Sequence, residues 1–190
     1  MKLGFSTIGC PEWDWAEVLG TAKDMGLDGI EIRGLEDELD PMKISIFDKE
    51  HLEKTREQLR RAGIEIAMLA SSVTLGSPKG SQEGDHQLHQ AKTQIDFAAQ
   101  NKIPFVRTLL TLDPAPIPAD LQAAQERYCA LCDYAKDKGV RVLVESCGLF
   151  SDTLLLGYFV RQANPESRGV LWDIQHPCLL YTSPSPRDLS

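Results

Sequence analysis

Residues 6–13 read STIGCPEW, and this stretch decides between the two folds that the rest of the chain allows. It follows a short apolar run, KLGFS (2–6), and precedes a helical pattern. A doubly wound nucleotide-binding sheet carries a G-x-G-x-x-G fingerprint at this point, because a pyrophosphate must approach the backbone there. Here Gly9 stands alone. A barrel of eight strand–helix units makes no such demand.

Outward from this stretch, strand and helix patterns alternate. DWAEVLGTAKDMG (14–26) puts Trp15, Val18, Leu19, Ala22 and Met25 on one helical face, with Asp14 as N-cap and Gly26 as stop. GIEIR (29–33) reads as a strand, KEHLEKTREQLRRAG (49–63) as a helix, and IEIAMLA (64–70) as a strand. A glycine-rich loop, TLGSPKGSQEG (74–84), leads to the helix HQLHQAKTQIDFAAQN (86–101) and the strand PFVRTLL (104–110). A proline-rich loop, DPAPIP (113–118), precedes a helix around residues 123–139. The strand VRVLVES (140–146), the helix TLLLGYFVRQAN (153–164) and the strand GVLWDI (169–174) follow.

The strands are continuous apolar runs, as in a parallel sheet covered by helices, and GVLWDI reads as buried like the rest. The long loops follow strands, which places the chemistry at the strand C-terminal ends. A complete barrel takes about 250 residues, and six strands in roughly 175 residues extrapolate to that length. The expected fold is therefore an α/β (β/α)8 barrel, incomplete, with about six βα units present.

A net charge of −8 argues against a nucleic-acid or membrane-surface partner, since neutralising phosphates needs clustered Lys and Arg. No run reaches the length of a membrane span, and residues 1–15 lack a signal peptide's apolar stretch. The expected location is cytoplasmic. The five cysteines are odd in number and scattered, which argues against a disulfide framework. Cys129 and Cys132 form a C-x-x-C inside a helical pattern, where Ala124, Tyr128, Leu131, Cys132 and Ala135 share a face, so Cys132 is expected in the core.

On the barrel reading the strand ends present Glu31 and Arg33, Ser71 and Ser72, Arg107, Glu145, and Asp173 with His176. Two acids on adjacent strands with a nearby histidine can hold a divalent cation. The same acids can equally cap helices or pair with Arg33 and Arg107. Trp15 is expected in the core, while Trp13 is placed to wall a pocket. His86 and His89 read as an exposed helix face at a helix start. The glycines of the third loop read as a mobile loop over the site.

STIGCPEW, GLDGIEIRG (26–34), VLVES (142–146) and LWDIQHP (171–177) together resemble the xylose isomerase-like TIM barrels, a family of sugar and sugar-phosphate isomerases and epimerases. The resemblance covers residues 1–177. It implies that Glu145 and Asp173 are metal ligands and that His176 contacts substrate or metal. It also implies a strand-seven His and a strand-eight Glu beyond Pro177 as the remaining ligands. Ser146-Cys147 departs from the Asn-His that often follows the strand-five Glu. The implied chemistry is metal-dependent isomerisation or epimerisation of a sugar or sugar phosphate, with Glu145 as acid/base. The resemblance makes His176 a substrate contact; Glu31, Arg33 and Arg107, from their place at the strand ends, and Trp13, from its place at the first helix start, are the further expected substrate contacts. The cofactor is a divalent ion, with manganese, magnesium, cobalt and zinc left open. Alternatives are a non-catalytic sugar- or inositol-binding relative and an inositol-derivative dehydratase. DNA repair is disfavoured, because strands three and four end without histidines.

The last residues, CLLYTSPSPRDLS (178–190), show neither strand nor helix period and read as a tail foreign to the domain, in the manner of vector read-through. A barrel stopped after six strands leaves open edges, from which association into homo-oligomers is expected.

Overall fold

The computed structural model describes residues 1–110, 118–176 and 178. The proline-rich loop at 113–117, Pro177 and the tail from residue 179 lie outside the described residues. Six strands form one sheet in the order β1-β2-β3-β4-β5-β6. This chain-order arrangement is that of a barrel wall, and excludes the doubly wound order, in which the strand sequence reverses at a switch point. The residues group into two compact units, 1–71 with 94–106, and 72–93 with the described residues from 107 onward.

In the first unit, β1 (Gly4–Ser6) pairs in parallel with β2 (Gly29–Ile32), with Ser6 opposite Glu31. β2 pairs in parallel with β3 (Glu65–Thr74), with a register shift between Ile30 and Glu31. Helix α1 (Trp15–Asp24) starts as expected: Asp14 accepts the Glu17 N–H and Glu17 returns the bond to the Asp14 N–H, a complete capping box. Trp15, Val18 and Ala22 are buried. Met25, expected on the same face, is 67% exposed, because it is the cap residue and the helix has already ended. Helix α2 (Leu52–Ala62) stops at Gly63, whose φ of 70° is left-handed and open to glycine at little cost.

In the second unit, helix α4 (Pro118–Ala135) buries Ala124, Tyr128, Leu131, Cys132 and Ala135, the face expected from their spacing. The Tyr128 ring stacks on Phe159 of α5 (Thr153–Arg161) at 5.4 Å, and Phe150 closes on Phe159 at 4.7 Å. Strand β5 (Arg141–Glu145) buries Val142, Leu143 and Val144 in this core, while β4 (Phe105–Leu109) brings the buried polar side chains of Arg107 and Thr108 to it. β5 pairs in parallel with β6 (Arg168–Leu171), with Glu145 opposite Leu171. β6 is not the buried strand expected. Val170, Trp172 and Ile174 are 39%, 54% and 71% exposed, because among the described residues β6 lies at the edge of the sheet with β5 as its neighbour.

Two further boundaries differ from the sequence reading. β3 runs on to Thr74, so Ser71 and Ser72 lie within the strand. Helix α3 (Gln82–Gln100) begins before His86, so both exposed histidines sit within the helix and Gly84 leaves the loop. Gly84 is buried under the Arg127 guanidinium, where a Cβ would collide. The rest of the loop is tied down, because Arg127 donates to the carbonyls of Leu75, Ser77 and Pro78 at 2.8, 2.5 and 2.9 Å. No helix among the described residues is long and apolar enough to cross a membrane.

Candidate active site at the strand ends

Of the residues picked out in sequence, four come from the second unit. Arg107 projects from β4 and Glu145 ends β5. Nη1 of Arg107 donates to Oε2 of Glu145 at 2.8 Å, and the two side chains are only 6% and 15% exposed. A pair this sheltered is held by Coulomb attraction that water screens little, while a carboxylate left alone there would be costly. The pairing with Arg107 that the sequence left open is thus present.

Asp173 lies two residues beyond Leu171, the partner of Glu145 in the parallel register, so both acids are at the C-terminal ends of neighbouring strands. Oδ1 of Asp173 accepts the Gln175 N–H at 2.8 Å, and Oδ2 lies 3.7 Å from Nε2 of His176. A short turn after β6 therefore carries carboxylate and imidazole together. Cys147, beside Glu145, is half-buried. Burial pushes its thiol up, the Glu145 carboxylate adds to this, Arg107 opposes it and Asp173 adds a little more. A thiol held protonated in this way is a poor nucleophile at neutral pH.

The other three residues belong to the first unit. Glu31 is half-buried and accepts a hydrogen bond from Ser6 Oγ at 2.8 Å. Arg33 is exposed, with its backbone N–H donated to Thr7 Oγ1 at 3.0 Å. Trp13 is half-buried, and its backbone N–H donates to the Cys10 carbonyl at 3.1 Å. Trp15, expected in the core, is 7% exposed.

Two carboxylates and an imidazole are donors of the kind a hard divalent cation takes. They are not gathered into one cluster: among the described residues no group of three His, Cys, Asp or Glu side chains is placed to hold a metal.

What sequence reading missed is the buried hydroxyls beside these groups. Ser146 and Thr7 are both fully buried and both bond the backbone just past the neighbouring strand. The one signal for Ser146 was its place directly after the strand-final acid.

A strand-ordered sheet with acids at the C-terminal ends of β5 and β6 coincides with a sequence-family match over residues 19–184, described as xylose isomerase-like TIM barrel. The chain belongs to that family. No curated protein sequence matches it. Among solved structures, it is similar to the probable 3-DHS dehydratase AsbF from Bacillus anthracis, with 19% identity and a TM-score of 0.74, covering 93% of this chain and 64% of that one. It is similar to the IOLI protein with a bound zinc atom, with 17% identity and a TM-score of 0.76, covering 96% and 66%. L-ribulose 3-epimerase matches with 14% identity and a TM-score of 0.75, covering 96% and 64%. At these identities the likeness shows the fold. This xylose isomerase-like chain spans about two thirds of the length of such structures.

Proposed function

We propose that this chain carries part of the site of a metal-dependent isomerase or epimerase for a sugar or sugar phosphate, working in the cytoplasm. The observation that supports the reading is the sheltered Arg107–Glu145 pair on neighbouring strands, one strand from Asp173 and His176. Glu145 is the acid/base: it takes a proton from the carbon beside a substrate carbonyl and returns it. Arg107 fixes the carboxylate through a charge-assisted bond, so that the proton meets an oriented acceptor. His176, 43% exposed with Nε2 3.7 Å from Asp173 Oδ2, meets a substrate hydroxyl in this reading.

Glu145 and Asp173 are ligands of a divalent cation in the same reading; manganese, magnesium, cobalt and zinc all accept such donors. When bound, the cation would polarise the carbonyl and acidify the neighbouring C–H. The test uses a form of the chain extended by its downstream reading frame to the length of the solved relatives. Manganese or magnesium is added, and ketose–aldose and 3-epimer pairs are screened for turnover and for deuterium uptake from heavy water. Glu145→Gln is expected to abolish both and leave the far-UV spectrum unchanged. Turnover that survives Glu145→Gln overturns the assignment. Release of water from an inositol derivative, without epimer formation, would make the protein a dehydratase instead.

A further inference from the structure

We propose that Ser146 is a positioning residue whose buried hydroxyl sets the backbone at Asp173 and thereby aims the Asp173 carboxylate. The proposal rests on the reading of Glu145 and Asp173 as cation ligands. The parallel ladder between β5 and β6 ends where Ser146 N–H donates to the Leu171 carbonyl at 3.0 Å. One rung further, backbone no longer meets backbone. There the Ser146 hydroxyl takes over, accepting the Asp173 N–H at 2.8 Å and donating to the Asp173 carbonyl at 3.2 Å. A hydroxyl has one proton and two lone pairs, so one oxygen can hold both main-chain groups of Asp173. With the Gln175 N–H on Oδ1, the aspartate is fixed at the backbone and at one carboxylate oxygen.

The first unit uses the same device with the same offset. Ser6 stands opposite Glu31, Thr7 follows, and Thr7 Oγ1 accepts the N–H of Arg33, two residues past Glu31, while donating to the Gly34 carbonyl. Both clamps therefore sit where a strand exit carries a candidate site residue. A third buried hydroxyl, Thr108 in β4, serves as a contrast: it donates to the Leu143 carbonyl inside the sheet, where it holds no such residue. Truncating Ser146 would leave the Asp173 N–H without its acceptor and let the turn after β6 drift. Changing a group that holds a metal ligand in place typically costs about 10–100-fold in metal affinity.

The test compares the 190-residue chain with its Ser146→Ala and Ser146→Thr variants by amide NMR. Two quantities are read: hydrogen exchange at the Asp173 amide, and the manganese concentration that broadens the Glu145 and Asp173 amides. Ser146→Ala is expected to speed Asp173 exchange roughly tenfold and to raise the required manganese roughly tenfold. Ser146→Thr, which keeps the hydroxyl, is expected to restore both. Should Ser146→Ala fail to fold, Ser146→Cys offers a weaker partner in nearly the same volume and carries the same comparison. Unchanged exchange at Asp173 overturns the clamp. Faster exchange with unchanged manganese response shows a purely structural hydroxyl and overturns the positioning role. If manganese broadens neither amide in the unsubstituted chain, the positioning of a cation ligand by Ser146 in this chain is overturned, and exchange at Asp173 alone then judges whether Ser146 holds the backbone there.

Discussion

At the scale of single residues, the energetics concentrate in the Arg107–Glu145 pair. Both partners are shielded from water, so removing Arg107 takes from the Glu145 carboxylate the positive charge beside it. Arg107→Met is expected to destabilise the second unit by roughly 3 kcal/mol, read as a lower urea midpoint. The double variant Arg107→Met/Glu145→Gln should recover most of that loss, because no uncompensated charge remains. Additive losses in the double variant would mean that the two groups do not act as a pair. The pair also shows where sequence reading stops. Both residues were visible as candidates, since each stands near the end of an apolar strand. That they bond each other was not, because nothing in the order of residues reports which strand-end groups share a gap. Ser146 was still less visible: its partner is a main-chain group 27 residues away, and every residue but proline offers the same N–H.

At the scale of elements, helix α4 does more than cover the sheet. The Tyr128 hydroxyl bonds the Val142 carbonyl at 3.1 Å and the Gly169 carbonyl at 3.2 Å, and accepts the Gly169 N–H at 3.1 Å. One oxygen from the helix thus fastens β6 to β5. Burial holds the Tyr128 hydroxyl well above the ordinary tyrosine range and pushes the Cys132 thiol one turn on up to about 12. Both groups therefore favour folding in their protonated forms. Their stabilisation is complete below the ordinary thiol pKa of 9.0 and is lost as pH rises towards about 12. A falling urea midpoint over this alkaline range is expected, with a shallower fall in Cys132→Ala. A midpoint that stays flat would count against both assignments. Tyr128→Phe is expected to cost about 1–3 kcal/mol and to speed amide exchange in β6 before other strands. The helices were the most legible elements. Asp14, the Trp15-Val18-Ala22 stripe and Gly26 mark α1 by local chemistry alone. β6 was misread because apolar side chains announce a strand equally well whether a neighbour covers it or not.

At the scale of the whole molecule, β1 and β6 each have one neighbour in the sheet among the described residues. Unpaired strand edges beside exposed apolar side chains invite pairing with another chain. The 190-residue chain is expected to self-associate as its concentration rises through roughly the micromolar to millimolar range, measured by analytical ultracentrifugation. Val170→Lys, which places a charge on the β6 edge, should weaken this association. A concentration-independent monomer would refute it.

The order of the strands has a consequence for how the chain is made. Each strand's hydrogen-bonding partner is the strand synthesised just before it, so every closure spans one helix and its two loops. Loop-closure entropy grows only with the logarithm of length, but a sheet whose partners were far apart would have to wait for late segments before pairing early ones. Here β1 can be secured against β2 before β3 has left the ribosome. No pairing in the sheet has to wait for a strand further along the chain, so the order of pairing can follow the direction of translation.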